Sequence, residues 1–152
     1  MFVAAVVLLM ASDGVAQSTK KHTINHYSVE LPASYRLKDI TPKLMDFGLY
    51  AVVGRQDGKV RCTLYFGNHP DFPSKRWAGA PVATRDGWRT RKEFRDANRI
   101  EGVIAFEGLS YKGSSGTPYS KIHYLAERVR PADQPLLLSM LDSIAVENPH
   151  LK

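Results

Sequence analysis

The stretch that most limits what this chain can fold into is residues 47–66, FGLYAVVGRQDGKVRCTLYF. Two β-branched and aromatic runs flank a turn carrying Asp57-Gly58. In the second run Val60, Cys62, Leu64 and Phe66 alternate with Arg61, Thr63 and Tyr65. A period of two sends one set to a buried sheet face and the other to a wetter one. Glycine after aspartate accepts the positive φ that a hairpin turn demands. The segment therefore predicts a β-hairpin at the heart of a sheet.

A chain of 152 residues suits one domain, and its 43% apolar and 24% charged content is globular. The single cysteine, Cys62, excludes an intrachain disulfide and reads as a small core hydrophobe. Residues 2–11, FVAAVVLLMA, are too short to span a bilayer, which takes about 20 residues. They match the apolar core of a signal peptide, with small residues at Gly14 and Ala16 for cleavage after Ala16. No Lys or Arg precedes the run, as a signal peptide would ordinarily have. The expected organisation is a leader over 1–16, a flexible polar stretch over 17–22 and one α+β domain over 23–148. Removing the leader takes away only Asp13 among the charges. Twenty-one cations against fourteen carboxylates then leave +7, which favours anionic partners.

In chain order, residues 23–31 alternate, with Tyr27, Val29 and Leu31 inward, and Pro32 ends the strand. Residues 33–38 form a short turn or a single helical turn. After the hairpin, GNHPDFP at 67–73 is dense in breakers, and a connection without clear period runs on to Gly87. Residues 88–95, WRTRKEFR, fit a strand better than a helix. The strand groups Trp88, Thr90, Lys92 and Phe94 on one side and Arg89, Arg91, Glu93 and Arg95 on the other. Asp96-Ala97-Asn98 turns the chain into a strand with Ile100, Ile104 and Phe106 on one side. Residues 119–129 give another, with Ile122, Tyr124 and Ala126 aligned. The last element is an amphipathic helix. Asp133 is its expected N-cap, Pro135 lies in its first turn, and Leu137, Met140, Leu141 and Ile144 form its buried stripe. Ser139, Asp142 and Ser143 are expected outward, and Asn148-Pro149 is the expected stop. The result is an antiparallel sheet of about five or six strands with that helix across one face.

The opening YSVELPASY at 27–35 is similar to the start of PsbP-like domains. The closing LLSMLDSI at 137–144 resembles their terminal helix. The resemblance implies an antiparallel sheet with flanking helix and a binding or accessory role, usually without catalysis.

The chemistry-bearing residues are few. His22, His26, His69, His123 and His150 show no metal-ligand spacing on one helix face, so no metal and no cofactor are expected. No Gly-x-Ser-x-Gly elbow exists. Gly113-Ser114-Ser115-Gly116 lacks the phosphate-loop pattern. Glu93, Glu101 and Glu107 sit on adjacent strands, as surface acids or as a converging group. Two candidate binding features remain. One is the loop of Asn68, His69, Asp71 and Phe72, with Trp77 and Trp88 nearby, read as a recognition loop or as an ordinary turn closed by its own Asx side chains. The other is the basic run over 75–99, where eight cations against three anions leave +5. Its Arg89, Arg91 and Arg95 form either a row that forks onto anionic groups or a charged edge that resists aggregation.

These features point to a non-catalytic binding or accessory protein, periplasmic or secreted, that engages an envelope protein or an anionic surface or ligand. Nucleic acid is not the partner expected of an exported chain, and no transmembrane segment is expected. The alternatives are a small hydrolase, or an inhibitor or immunity-type protein using residues 67–81.

Overall fold

A computed structural model describes residues 18–110, 120–147 and 150–151. The expected leader over 1–16 and the Ser114-Ser115 loop lie outside them.

The described chain runs β1 (Thr19–Ile24), β2 (Tyr27–Pro32), β3 (Tyr35–Asp39), β4 (Gly48–Gly54), β5 (Val60–Gly67), β6 (Val82–Asp86), β7 (Arg89–Arg95), β8 (Ile100–Phe106), β9 (Leu109–Ser110) and β10 (Lys121–Ala126). A 3-10 turn (Pro131–Asp133), helix α1 (Gln134–Asp142), β11 (Ala145–Val146) and β12 (His150–Leu151) follow. Seven strands form one antiparallel sheet in the order β3-β4-β5-β10-β8-β7-β6. A second sheet has the order β1-β2-β11, and β9 pairs with β12. The α+β class stands, with more strands than the five or six expected.

The 47–66 hairpin forms as β4 and β5, with a register shift between Val52 and Val53. Gly58 takes φ +67° in the turn, which a side chain would strain. Cys62, Leu64 and Phe66 are buried, but Val60, expected on the same inner face, is exposed, because it lies at the turn end of β5 beyond the register shift. The small sheet and α1 cover that face of the large sheet. Tyr27 joins the layers, its ring centroid 5.6 Å from Phe66 and 5.3 Å from Phe106. Val29, Leu31, Leu137, Met140, Leu141 and Ile144 complete a dry core with Ile100, Ile104, Ile122 and Ala126. Each fully buried aliphatic side chain of this kind contributes roughly 1.5–3 kcal/mol.

Several boundaries differ from expectation. The polar stretch read as flexible through His22 is strand β1 from Thr19 onward, paired with β2 from Thr19↔Pro32 to Ile24↔Tyr27. A two-residue turn at Asn25 (φ 52°) and His26 splits the expected single first strand. Polar residues suffice here because one strand face is solvated. Residues 35–39 are a strand on β4, not a helical turn. β6 arises within the long connection to Gly87, and all five of its residues are exposed. An edge strand held by backbone pairing alone leaves no apolar period to read. Helix α1 ends at Asp142, well before Asn148, and the chain turns so that Ile144 and, in β11, Val146 are buried in the core. Ser143 points inward: its Oγ accepts from the Glu30 amide at 2.9 Å. Asp133 makes no side-chain cap and instead takes both Nε and Nη2 of Arg130, at 2.7 and 3.0 Å.

Candidate functional site

The large sheet has two unlike faces. The face under α1 carries the core. The outer face carries Thr90, Lys92, Phe94, Glu101, Val103, Ala105, Lys121 and His123, as the β7, β8 and β10 registers require. The loop over 68–81 folds back across this outer face.

Glu101 fixes that loop. It is 0% exposed, yet faces the side away from the main core. Its Oε1 accepts from the Ser74 amide at 2.5 Å, from Ser74 Oγ at 2.7 Å and from His123 Nε2 at 2.9 Å. Its Oε2 accepts from Trp77 Nε1 at 2.6 Å. A carboxylate only accepts, so His123 carries its proton on Nε2 here. Burial pushes the Glu101 pKa up, and the Trp77, Ser74 and His123 donors outweigh it, leaving the group below its ordinary value. Trp77 stacks on Phe94, centroids 5.4 Å apart at 13°, with the Arg99 guanidinium 3.7 Å over its ring. Phe72 lies 5.8 Å from Phe94 and 6.0 Å from His123. Asn68 Oδ1 accepts from the Ser120 amide and hydroxyl, at 3.0 and 3.3 Å, and so ties the loop's start to β10. Ser74 donates to the carboxylate and not to the imidazole. The trio is therefore a clamp on the loop and lacks the nucleophile–base contact of hydrolytic catalysis.

Beside the clamp an open groove of about 510 Å³ runs over the sheet. Val103 and Ala105 floor it, Asn68, His69, Pro70 and Phe72 wall one side, and Thr90, Lys92, Lys121 and Glu107 border the rest. His69, Lys92 and Lys121 are exposed, so two ammonium groups flank an apolar floor. Such a groove accommodates an extended anionic chain with small apolar contacts beneath it.

The structure thus brings together Asn68, His69 and Phe72 of the expected loop. Asp71 is exposed and stands outside the groove. Trp77 is spent on Glu101 and Phe94. Trp88 does not share a face with Phe94: it sits in the turn before β7, where strand alternation does not reach, and packs on Phe106 at 5.3 Å.

The expected exposed row of guanidiniums is not there. Arg89, Arg91, Glu93 and Arg95 share the α1 side of the sheet, because their partners in β8 are Phe106, Ile104, Gly102 and Ile100. Arg89 Nη2 donates to the Leu141 carbonyl at 3.0 Å, near the C-terminus of α1. Arg91 donates to Tyr124 Oη at 2.6 Å, to Asp142 Oδ1 at 2.5 Å and to Glu93 Oε2. Arg95 Nη2 meets Glu93 Oε1 at 2.5 Å. Tyr124 Oη in turn donates to Glu93 Oε2 at 2.6 Å. Burial raises the Glu93 pKa, and Tyr124, Arg91 and Arg95 together bring it below the ordinary value. Burial first, with Glu93 adding to it, drives the Tyr124 phenol well above its own, despite Arg91. A Cβ at Gly102 would overlap the Tyr124 ring, so only glycine at that β8 position lets the ring cross toward Glu93. The arginines knit helix to sheet: Arg89 and Arg91 are half-buried there, and Arg95 is the most exposed of the three, at 45%.

Glu93 and Glu101 lie on opposite faces, and Glu107 pairs with Arg85 at 3.2 Å, so the three acids do not converge. Among the described residues no group of three or more His, Cys, Asp or Glu side chains is placed to hold a metal ion. Among the same residues no helix is long and apolar enough to cross a membrane. Sequence reasoning missed Glu101 as a clamp, and Lys92 and Lys121 as neighbours. Their alternation was visible, but the register uniting β7, β8 and β10 was not. Comparison with family models, curated proteins and solved structures finds no match.

Proposed function

We propose that this protein is a non-catalytic binding or accessory module, exported to the periplasm or cell exterior, that holds an acidic segment of an envelope protein along the outer groove. The observation that carries the reading is the pairing of Lys92 and Lys121 across an apolar floor of Val103 and Ala105, beside a loop held by Glu101. A rigid wall keeps the ordering cost of binding low. The two ammonium groups supply charge complementarity and fast encounter. The apolar leader with small residues at Gly14 and Ala16 supports export, and the PsbP-like opening and closing motifs favour an accessory role over catalysis.

The test uses a fluorescein-labelled oligoglutamate peptide and fluorescence anisotropy across a salt series. Lys92→Glu with Lys121→Glu is expected to weaken binding about a hundredfold at low salt and to flatten the salt slope. The control pair, Lys38→Glu with Lys43→Glu, makes the same charge change away from the groove and is expected to cost far less. Equal losses from both pairs would sink the groove as the binding site.

A further inference from the structure

The loop joining β3 to β4, residues 40–47, carries an apolar point. Leu44 is fully exposed, Met45 is 53% exposed and Ile40 38%. The other large apolar side chains exposed among the described residues, Val60 and Val82, lie on separate strands, whereas these three occupy one loop. Apolar area gathered on a surface in this way marks a contact with something else.

The base of the loop is a firm mount. The Ile40 amide donates to the Leu49 carbonyl at 2.9 Å. The Thr41 hydroxyl accepts from the Leu49 amide at 2.8 Å and donates to the Leu49 carbonyl at 3.3 Å. On the returning side the Phe47 ring packs on Tyr65, centroids 5.1 Å apart. Above this mount Leu44 takes φ 65°, the left-handed region that a leucine enters only at a cost. Glycine or asparagine would adopt that turn more easily, so the turn does not call for leucine. Packing does not call for it either, since the side chain stands in solvent.

The charges around the point select its partner. Lys43 precedes the Leu44-Met45 pair and Asp46 follows it, while Lys38 and Asp39 stand at the stem. All four are exposed, and two cations against two carboxylates cancel, in a chain whose net charge is +6. A zwitterionic headgroup layer carries the same pairing, phosphate beside ammonium. A bilayer also closes around a convex point, where a protein would need a socket shaped to it.

We infer that the β3–β4 loop is a membrane-docking point that sets Leu44 and Met45 beneath the headgroups of a zwitterionic phospholipid bilayer, with Lys43 on the phosphates and Asp46 on the ammonium groups. The long lysine stem keeps its ammonium at phosphate level while the leucine goes deeper. Burial of apolar surface drives the contact, as it does for other peripheral anchors, and the neutral collar makes it indifferent to salt.

Flotation of the full chain with vesicles of pure phosphatidylcholine tests this. Half of the protein is expected to float at about 1 mM lipid, about tenfold weaker than a single myristoyl chain gives. Raising the salt from about 0.15 M to about 0.5 M is expected to leave this unchanged. Leu44→Ser with Met45→Ser is expected to cut the bound fraction about tenfold. Leu44→Gly is expected to weaken binding about fivefold while leaving the melting temperature unchanged or higher, because glycine relieves the left-handed backbone. Three results would each overturn the inference: no flotation with phosphatidylcholine, as a point made for a protein socket would give; flotation only with phosphatidylglycerol vesicles and only at low salt, as overall basic charge would give; or a serine double variant that floats like the parent. The Lys92→Glu, Lys121→Glu protein is expected to float like the parent, so the outer groove and the loop stand or fall separately.

Discussion

Each face of the seven-stranded sheet buries a glutamate, and the two are satisfied in opposite ways. Under the helix, Glu93 is held by the guanidiniums of Arg91 and Arg95 and by Tyr124. On the outer face, Glu101 is held by an amide, a hydroxyl, an indole and an imidazole. The first arrangement joins rigid elements, β7, β10 and the C-terminal end of α1. The second ties one irregular loop to a sheet. A buried carboxylate with fixed charged partners makes the fold depend on it, because removing it strands cations in a low-dielectric place. A carboxylate served mainly by amide, hydroxyl and indole donors of one loop costs mainly the local structure those donors belong to. The same residue type therefore maintains global architecture on one face and the shape of a binding surface on the other.

Substitution at Glu93 is the sharpest way to break this contrast. Glu93→Ala leaves the half-buried Arg91 with Asp142 as its remaining carboxylate, and is expected to destabilise the whole protein by about 3 kcal/mol in urea melts. The pH dependence follows from the lowered pKa. Stability from Glu93 is fully present above its unfolded value of about 4.5 and is lost as pH falls through the lower folded value. The alanine variant is therefore expected to lose less stability than the parent between about pH 4.5 and pH 3. A parallel fall in both proteins would show that Glu93 is not held as described.

Glu101→Ala is expected to be milder globally, about 2 kcal/mol, and severe locally. Limited proteolysis should cut first within residues 68–81, and the groove ligand should weaken while the helix-side core stays protected from hydrogen exchange. A variant that lost core protection equally would erase the distinction between the faces.

The smallest effect concerns the core shared by both sheets. Cys62 is buried and its thiol pKa is pushed up to about 12, through desolvation. Iodoacetamide at neutral pH is expected to label it only after denaturation. Labelling of the native protein at the rate of a free thiol would mean that the hairpin opens far more readily than its packing implies.

Much of the fold was legible in short-range pattern. The alternation of Tyr27, Val29 and Leu31, of Cys62, Leu64 and Phe66, and of Ile100, Ile104 and Phe106 follows from side chains taking opposite sides of a strand. All nine are buried. The spacing of Leu137, Met140 and Leu141 marked the helix face in the same way, while Ile144 is buried just past the helix end. Less of the site was readable. The 88–95 strand was visible and its arginines correctly grouped, yet which side they faced depended on β8, β10 and α1. A charged row reads as solvent-facing until a partner such as Glu93 or the Leu141 carbonyl is known to wait opposite.

By itself the amino-acid order determined periods, turns and a greasy inner face, because these arise from neighbours within a few bonds. Strand order, register and the fold-back of residues 68–81 were decided only in three dimensions. Glu101 meets Ser74, Trp77 and His123 across gaps of 27, 24 and 22 residues. Contacts so distant along the chain leave no local signature, since a carboxylate's neighbours in sequence say nothing about which donors will surround it once the sheet has closed.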